Sequence, residues 1–395
     1  MSSSSYYSSQ VLNLASARVL VIDDDISNYD ILQALLKRAG IGNVLYAQTI
    51  ETACDIISQT PPEIILLDIM MPDISGFDFC QMLKRDPASA KIPVIFISAL
   101  RGADIRARAF ELGGVDYLQK PYDSHEIIAR IRTHLHNGLL MKSLEKQADT
   151  MRQELELGAR MQQSLLPSTE QQAQISTAHQ CRIASVFVPS SALAGDFWQL
   201  LPVDDNHFAI AVCDFSGHGV ASALETARFH SLLYELKPLW GNPRELMLTL
   251  NQRMYQMLPP ETFATFKYAL INSQDRTARV LGAGAPSFMH LQRHNGAQLH
   301  HHPSLPLGTT LDWPTDTPTT ELHLAADDAL VFYSDALTEL PLKDSRVAPL
   351  SATNLHNLAT SSGDAENLCQ ALLAQYNSAD PAARNDDLTL VSCVF

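Results

Sequence analysis

Basic residues are scarce in this sequence. Lys and Arg number 28 against 43 Asp and Glu, a formal charge of −15 over 395 residues. The chain therefore lacks the cationic footprint that a phosphate backbone demands, and it reads as a protein that binds no nucleic acid. Cysteine is equally sparse. Cys54, Cys80, Cys181, Cys213, Cys369 and Cys393 are scattered, with no C-x-x-C pair and no His pair at zinc spacing, which excludes a cysteine-built zinc module and implies reduced thiols. No run of about 18 apolar residues is present. Residues 1–17 are rich in Ser and Tyr and carry neither the basic nor the apolar stretch of a secretory signal. A cytoplasmic protein with no membrane segment, opening on a flexible tail over 1–17, is the expectation.

What is present is the composition and length of two or three separately cored domains. Over residues 18–136, short apolar runs (Val19–Ile22, Val44–Tyr46, Ile64–Leu67, Val94–Ile97, Tyr117–Leu118) alternate with amphipathic stretches. That alternation predicts an α/β doubly wound domain on a five-stranded parallel sheet. Residues 137–166 contain no Pro, four basic and four acidic residues, and a seven-residue rhythm through Met141, Leu144, Ala148, Met151, Leu155, Gly158, Gln162 and Leu165. The rhythm suits either a coiled-coil-like helical linker pairing with a second copy or an amphipathic helix packed on its own domain. Residues 167–395 have an α+β texture and a charge of −11, against −4 for 18–136.

Two constellations carry chemistry. At predicted strand ends in the first domain stand Asp23, Asp24 and Asp25, then Asp68, Ser98 and Lys120. Crowded carboxylates of this kind are relieved by a hard divalent cation, and a Lys at the same rim can neutralise transferred phosphoryl oxygens. The segments V-L-V-I-D-D-D, L-L-D-I-M-M-P-D-I-S-G-F, P-V-I-F-I-S-A and G-V-D-Y-L-Q-K-P, with spacings of 44, 30 and 22 residues from Asp24 to Asp68, Ser98 and Lys120 in turn, resemble the receiver domain of bacterial response regulators. The resemblance implies Asp68 as phospho-acceptor, Mg²⁺ held by Asp23, Asp24, Asp68 and the Met70 carbonyl, Ser98 and Tyr117 as switch residues, and Lys120 as the phosphate contact. It also implies a sensor histidine kinase as phosphodonor. The rim bond Lys120–Pro121 is expected to be cis.

In residues 167–395, acids recur in A-G-D-F (Asp196), C-D-F-S-G-H-G (Asp214), S-D-A-L-T-E (Asp335) and N-D-D-L-T (Asp386, Asp387). Three of these segments adjoin apolar strand-like runs and could point into one pocket. With no balancing Lys or Arg nearby, they argue for bound Mg²⁺ or Mn²⁺ and for hydrolysis of a phosphomonoester. Together with A-R-M-Q-Q-S-L-L-P, F-A-T-F-K-Y-A-L and L-P-L-G, they resemble the metal-dependent serine/threonine protein phosphatases of the SpoIIE and RsbU branch. The implied fold is a β-sandwich flanked by helices. The implied ligands are Asp196, Asp214 and the Phe215 carbonyl for one ion and Asp214, Asp335 and Asp386 for the other, with Gly217, His218 and Gly219 forming the adjacent turn.

Gln199, Ala194, Ala336 and Ala285 depart from the family pattern. Ala336 would be strained if its position required a positive φ. The His300–His302 run, with His290 and His294, reads as a solvated loop. The combined reading is a two-component response regulator whose phosphorylated receiver switches a phosphatase through a dimeric linker. The implied substrate is a phosphorylated STAS-type anti-sigma-factor antagonist, in partner-switching control of a sigma factor. The alternative is a catalytically weak or inactive phosphatase fold acting as a phosphorylation-gated adaptor.

Overall fold

The computed structural model describes residues 14–121, 123–217, 219–293, 296–314, 316–339, 365–378 and 386–395. Two compact units divide between Met151 and Arg152. Among the described residues no helix is long and apolar enough to cross a membrane. Of the expected tail over 1–17, residues 1–13 lie outside the described residues, and Leu14–Ser16 form one 3-10 turn.

The first unit runs β1 (Arg18–Ile22), α1 (Ile26–Arg38), β2 (Asn43–Ala47), α2 (Ile50–Gln59), β3 (Ile64–Asp68), α3 (Gly76–Arg85), β4 (Val94–Ser98), α4 (Ala103–Glu111), β5 (Asp116–Gln119) and the first part of α5 (Ser124–Leu165). The strands form a parallel sheet in the order β2-β1-β3-β4-β5. The uninterrupted apolar runs are explained by burial on both faces: Leu20, Ile22, Ile65 and Leu67 enter one core layer, and Val19, Val21, Ile64 and Leu66 the other. Asp25, Thr49 and Ser75 start α1, α2 and α3 by accepting from backbone amides of the first turn. The strand order reverses between β1 and β3, so the carboxyl ends of these two strands border the crevice where such sheets hold ligands.

The second unit takes in the end of α5, then α6 (Thr169–Ala178), β6 (Arg182–Val188), β7 (Asp196–Pro202), β8 (His207–Phe215), α7 (Val220–Glu235), α8 (Pro243–Met257), β9 (Ala264–Asn272), β10 (Thr277–Ala283), β11 (Phe288–Gln292), β12 (Gly296–His300), β13 (Thr320–His323), β14 (Ala329–Tyr333), α9 (Ala336–Glu339), α10 (Ala365–Ser378) and β15 (Leu388–Val394). Two antiparallel sheets, β13-β10-β9-β8-β7 and β12-β11-β14-β15-β6, enclose a layer that includes Trp198, Ile210, Val280, Phe288, Phe332 and Val391. Leu232, Leu233, Leu246 and Leu250 of α7 and α8 cover the outer face of the first sheet, and Leu368, Leu372 and Tyr376 of α10 cover the second. This is a β-sandwich flanked by helices.

Two expectations are revised. The seven-residue rhythm from Met141 to Leu165 is not one seam. Met141 (59% exposed), Leu144 and Met151 face solvent in the single chain, whereas Gln162 is buried and Gly158 abuts Leu193 of its own unit. Nor are the histidines a solvated loop. His290 and His302 are buried, paired with Asp328 (3.0 Å) and Thr320 (2.8 Å), and Phe288 stacks against His300 and His302. Alternation explains this: residues 300 and 302 share the inward face while His301 points out to solvent. His294 lies outside the described residues.

Candidate functional site

In the first unit, Asp23, Asp24 and Asp68 offer carboxylate oxygens that all lie within 4.8 Å of one another. Asp23 and Asp68 are buried and Asp24 is exposed. Lys120 Nζ, brought in after β5, donates to Asp68 Oδ2 (2.6 Å) and Asp23 Oδ2 (2.8 Å). Asp23 Oδ1 accepts from the Asp25 amide (3.0 Å) and from Asn28 Nδ2 (2.9 Å), and Asp68 Oδ1 accepts from the Met70 amide (3.0 Å).

Burial pushes the Asp68 carboxyl above its ordinary range despite Lys120. Burial also works against the Lys120 ammonium, but its two carboxylate partners outweigh it and hold that group raised. Three carboxylates facing one ammonium leave negative charge in excess, and the all-oxygen donor set fits a hard divalent cation. Ser98 and Tyr117 converge on Leu100: Ser98 Oγ accepts from its amide (3.3 Å) and Tyr117 Oη donates to its carbonyl (2.6 Å). The Lys120–Pro121 bond is cis, as the sequence suggested.

In the second unit, Asp196 on β7 stands directly opposite Asp214 on β8, which in turn faces Thr265 on β9. Asp196 is 1% exposed. Its Oδ2 accepts from Thr389 Oγ1 (2.5 Å), and its Oδ1 is buried without a hydrogen-bond partner. Burial, then the neighbouring Asp214, drives the Asp196 carboxyl well above the carboxylate range. Asp214 is pushed up to about 8 by burial and by Asp335, Asp386 and Asp387. No cationic side chain is among the groups acting most strongly on either carboxyl. An enclosed, unsatisfied carboxylate oxygen within a group of mutually repelling acids fits a bound divalent cation. Among the described residues, however, no three carboxylates here close to within 4.8 Å as those of the first unit do.

Asp335 precedes α9, and its carbonyl caps Thr338 (2.7 Å). Ala336 opens that helix and is absent from the positive-φ residues, so the feared strain does not arise. Gly217 and Gly219 do adopt positive φ, 91° and 84°, after Phe215, whose own amide bonds the Gly195 carbonyl (3.3 Å). His218 lies outside the described residues. Asp386 is half-buried, and its Oδ1 accepts from the Asp387 amide (2.9 Å).

Sequence reasoning missed three positioning residues. Asp387 accepts from the Ser190 amide (2.6 Å), Ser190 Oγ (2.9 Å) and the Gly195 amide (2.6 Å), fixing the backbone that presents Asp196. Gln162, near the end of α5, donates to the Ala194 carbonyl (2.7 Å) and accepts from the Ala194 amide (3.0 Å), and it also donates to Thr226 of α7 (3.1 Å). Gln199 donates to the Leu165 carbonyl at the end of α5 and accepts from Tyr234 Oη (3.4 Å). A carboxylate at 199 could not donate to that carbonyl, which gives this departure from the family pattern a structural reason. The adjacent acids in N-D-D and the Gln in A-R-M-Q-Q were the available signals.

Residues 19–132 match the family model of the response regulator receiver domain, and residues 204–394 match that of stage II sporulation protein E, SpoIIE. The chain joins a receiver domain to a SpoIIE-type, PP2C-like domain. Among curated relatives, response regulator PleD of Caulobacter vibrioides is 40% identical over 131 residues, 33% of this chain and 29% of its own length. The DNA-binding dual master transcriptional regulator RpaA of Synechocystis is 34% identical over 142 residues, 34% of this chain and 56% of its own. The chain thus spans about a third to a half of these relatives' lengths. The SiaA-PP2C domain of Pseudomonas aeruginosa superposes with a TM-score of 0.52 at 15% identity, covering 63% of this chain and 98% of that domain, which establishes a shared fold.

Proposed function

We propose that this protein is a two-component response regulator in which Asp68 takes a phosphoryl group from a sensor histidine kinase and thereby controls a metal-dependent protein phosphatase. The observation that carries the phosphatase reading is the buried, partnerless Oδ1 of Asp196 opposite Asp214. Asp196, Asp214, Asp335 and Asp386, with the Phe215 carbonyl, would hold two Mn²⁺ or Mg²⁺ ions. Bound there, such ions supply Lewis acidity toward a phosphoryl oxygen and lower the pKa of water. The chain's own part is to hold these carboxylates at the rim of the two sheets, Asp196 buried and Asp214, Asp335 and Asp386 half-buried. Asp387 and Thr389 fix Asp196, and the Gly217 and Gly219 turn lets the backbone run beside it.

In the receiver, Mg²⁺ would be held by Asp23, Asp24, Asp68 and the Met70 carbonyl. The Asp68 carboxylate attacks phosphorus as the donor's P–N bond breaks, and Lys120, already on Asp68, moves onto the transferred oxygens. Ser98 and Tyr117, which share Leu100, report the event to the surface. The linker is the proposed transmitter. Its solvent-facing Met141, Leu144 and Met151 suit pairing with a second copy, and Gln162 and Gln199 tie its far end to the backbone beside Asp196. By family resemblance the substrate is phosphoserine or phosphothreonine on a STAS-type anti-sigma-factor antagonist, in the cytoplasm.

One observation favours a second reading, a phosphorylation-gated adaptor: the phosphatase acids are more widely spread than the receiver's. The test is turnover of p-nitrophenyl phosphate with Mn²⁺, with and without beryllofluoride at Asp68. Metal-dependent turnover abolished by Asp214→Ala supports the enzyme. No metal-dependent turnover in either receiver state assigns the adaptor.

A further inference from the structure

The end of β8 that carries Asp214 has an aromatic neighbour that neither site uses. Cys213 and Phe215 are buried against the helices, so by strand alternation Asp214 projects from the opposite face. Asp214 pairs with Thr265, and Phe215 with Ala264, which is itself buried on the helix side. The pairing holds for one residue more: the Ser216 amide donates to the Phe263 carbonyl (3.0 Å) and the Phe263 amide to Ser216 Oγ (3.1 Å). Phe263 therefore shares the face of Asp214 and Thr265, one diagonal step, about 7–8 Å, from Asp214. Its ring is 36% exposed, whereas Phe215 and Phe266 beside it are enclosed. Leu307 bonds Ala264 in both directions (3.1 and 2.8 Å), which leaves the half-buried Pro306 opposite Thr265, packed on Gly284.

We propose that Phe263, flanked by Pro306, is a specificity subsite that receives an apolar side chain lying close to the phosphorylated residue of a polypeptide substrate. This assignment rests on the phosphatase reading above and sharpens the substrate it takes: a phosphoserine or phosphothreonine in an accessible segment with an apolar neighbour. At about 3.3 Å per residue of extended chain, the step from Asp214 to Phe263 corresponds to about two residues. The apolar side chain then falls at the second position to one side of the phosphorylated residue.

Charge at this rim selects the same occupant. The acids around Asp214 are negative in excess, and Glu261, two residues before Phe263, is exposed. Lys267, on the same face of β9, is buried with its ammonium on the Pro286 carbonyl and offers nothing to a chain lying across the rim. Acidic side chains beside the phosphoryl group would be repelled, and polar ones would find no partner on the ring. An apolar side chain removes its own surface and that of Phe263 from water together.

The experiment uses the full-length chain with Mn²⁺ and two phosphoserine peptides, identical except for Leu or Ser at the second position on each side of the phosphoserine. Phosphate release measures kcat/KM, and fluorescence anisotropy of labelled phosphonate analogues, which are not hydrolysed, measures binding. The wild type is expected to favour the Leu peptide by about tenfold, Phe263→Ala to bring the ratio to about one, and Phe263→Leu to keep most of it. A wild-type ratio near unity in both readouts, or a preference that survives Phe263→Ala, overturns the subsite. A binding preference that depends on Phe263 without any phosphate release supports the subsite and counts against the phosphatase reading instead. If Phe263→Ala lowers the mass seen by light scattering and leaves the ratio intact, the ring belongs to a contact between copies and the subsite is overturned.

Discussion

Asp387 Oδ2 holds the backbone amide of Gly195 at 2.6 Å, joining two residues 192 positions apart. The same carboxylate takes two further hydrogen bonds from Ser190, so one side chain sets the path of the loop that ends in Asp196. Asp387→Ala removes three acceptor contacts to a charged group and leaves two amides and a hydroxyl to find others. The expected loss is about 2–4 kcal/mol of phosphatase-domain stability by thermal or urea unfolding, together with loss of Mn²⁺-dependent turnover although no proposed ligand has changed.

Cation binding to the phosphatase domain is expected to release protons. With the Asp214 carboxyl at about 8 and Asp196 raised as well, Mn²⁺ affinity should climb with pH up to about 8 and level off above it. Calorimetry in buffers of different ionisation enthalpy measures the proton release. The sign for folding is the reverse. A carboxyl raised from 3.8 to about 8 gives the cation-free protein stability that is full below pH 3.8 and is lost as pH rises through 8. Chelator-treated protein should therefore melt at a lower temperature at pH 8 than at pH 6, and saturating Mn²⁺ should remove the difference. A melting temperature independent of pH without metal would contradict this account.

Lys267 is buried in the same domain, its ammonium against the Pro286 carbonyl and 5.4 Å from the Phe288 ring centroid. Burial lowers its pKa to about 7. The unfolded chain then binds the extra proton between pH 7 and 10.5, so stability rises across that window and the penalty is complete below pH 7. Lys267→Met should raise stability by on the order of 3 kcal/mol at pH 6, with the gap from wild type closing by about pH 10.5. Urea unfolding of the two proteins across pH measures the gap.

The end of the long helix offers a paired test. Gln162→Ala leaves both polar groups of Ala194 without partners inside the protein, so a loss of about 1–3 kcal/mol is expected, with phosphatase turnover no longer responsive to beryllofluoride. Gly158→Ala places a Cβ 3.4 Å from Leu193 Cδ2, a contact the leucine can absorb, and should gain about 0.5–1 kcal/mol from helix propensity. Thermal unfolding of both variants should move in opposite directions.

What the sequence made legible was whatever local pattern controls. Ile64–Leu67 could be read as a doubly buried strand because four consecutive apolar residues have few other uses, and Asp23 and Asp68 could be paired because strand ends in a doubly wound sheet share one rim. Cross-chain contacts were not legible. Asp386 and Asp387 are adjacent identical side chains, and only the closed sheet determines that one bonds Gly195 while the other accepts from the Asp387 amide. The histidines carried a composition signal alone. Their burial depends on β12 pairing with β11 and on Phe288 lying beneath them. Gln199 looked like an isolated departure until the Leu165 carbonyl was found beside it.

The register of β15 also bears on synthesis. This strand lies inside its sheet, between β14 and β6, and pairs with β6 from Val188 back to Arg182. While residues 388–394 are still within the ribosome, β6 has no neighbour and Asp196 has neither Thr389 nor Asp387 beside it. A nascent second unit therefore holds its acids apart until residues 387–394 have emerged and paired. A stalled or shortened chain would carry a complete receiver on an output domain that has not yet formed a site.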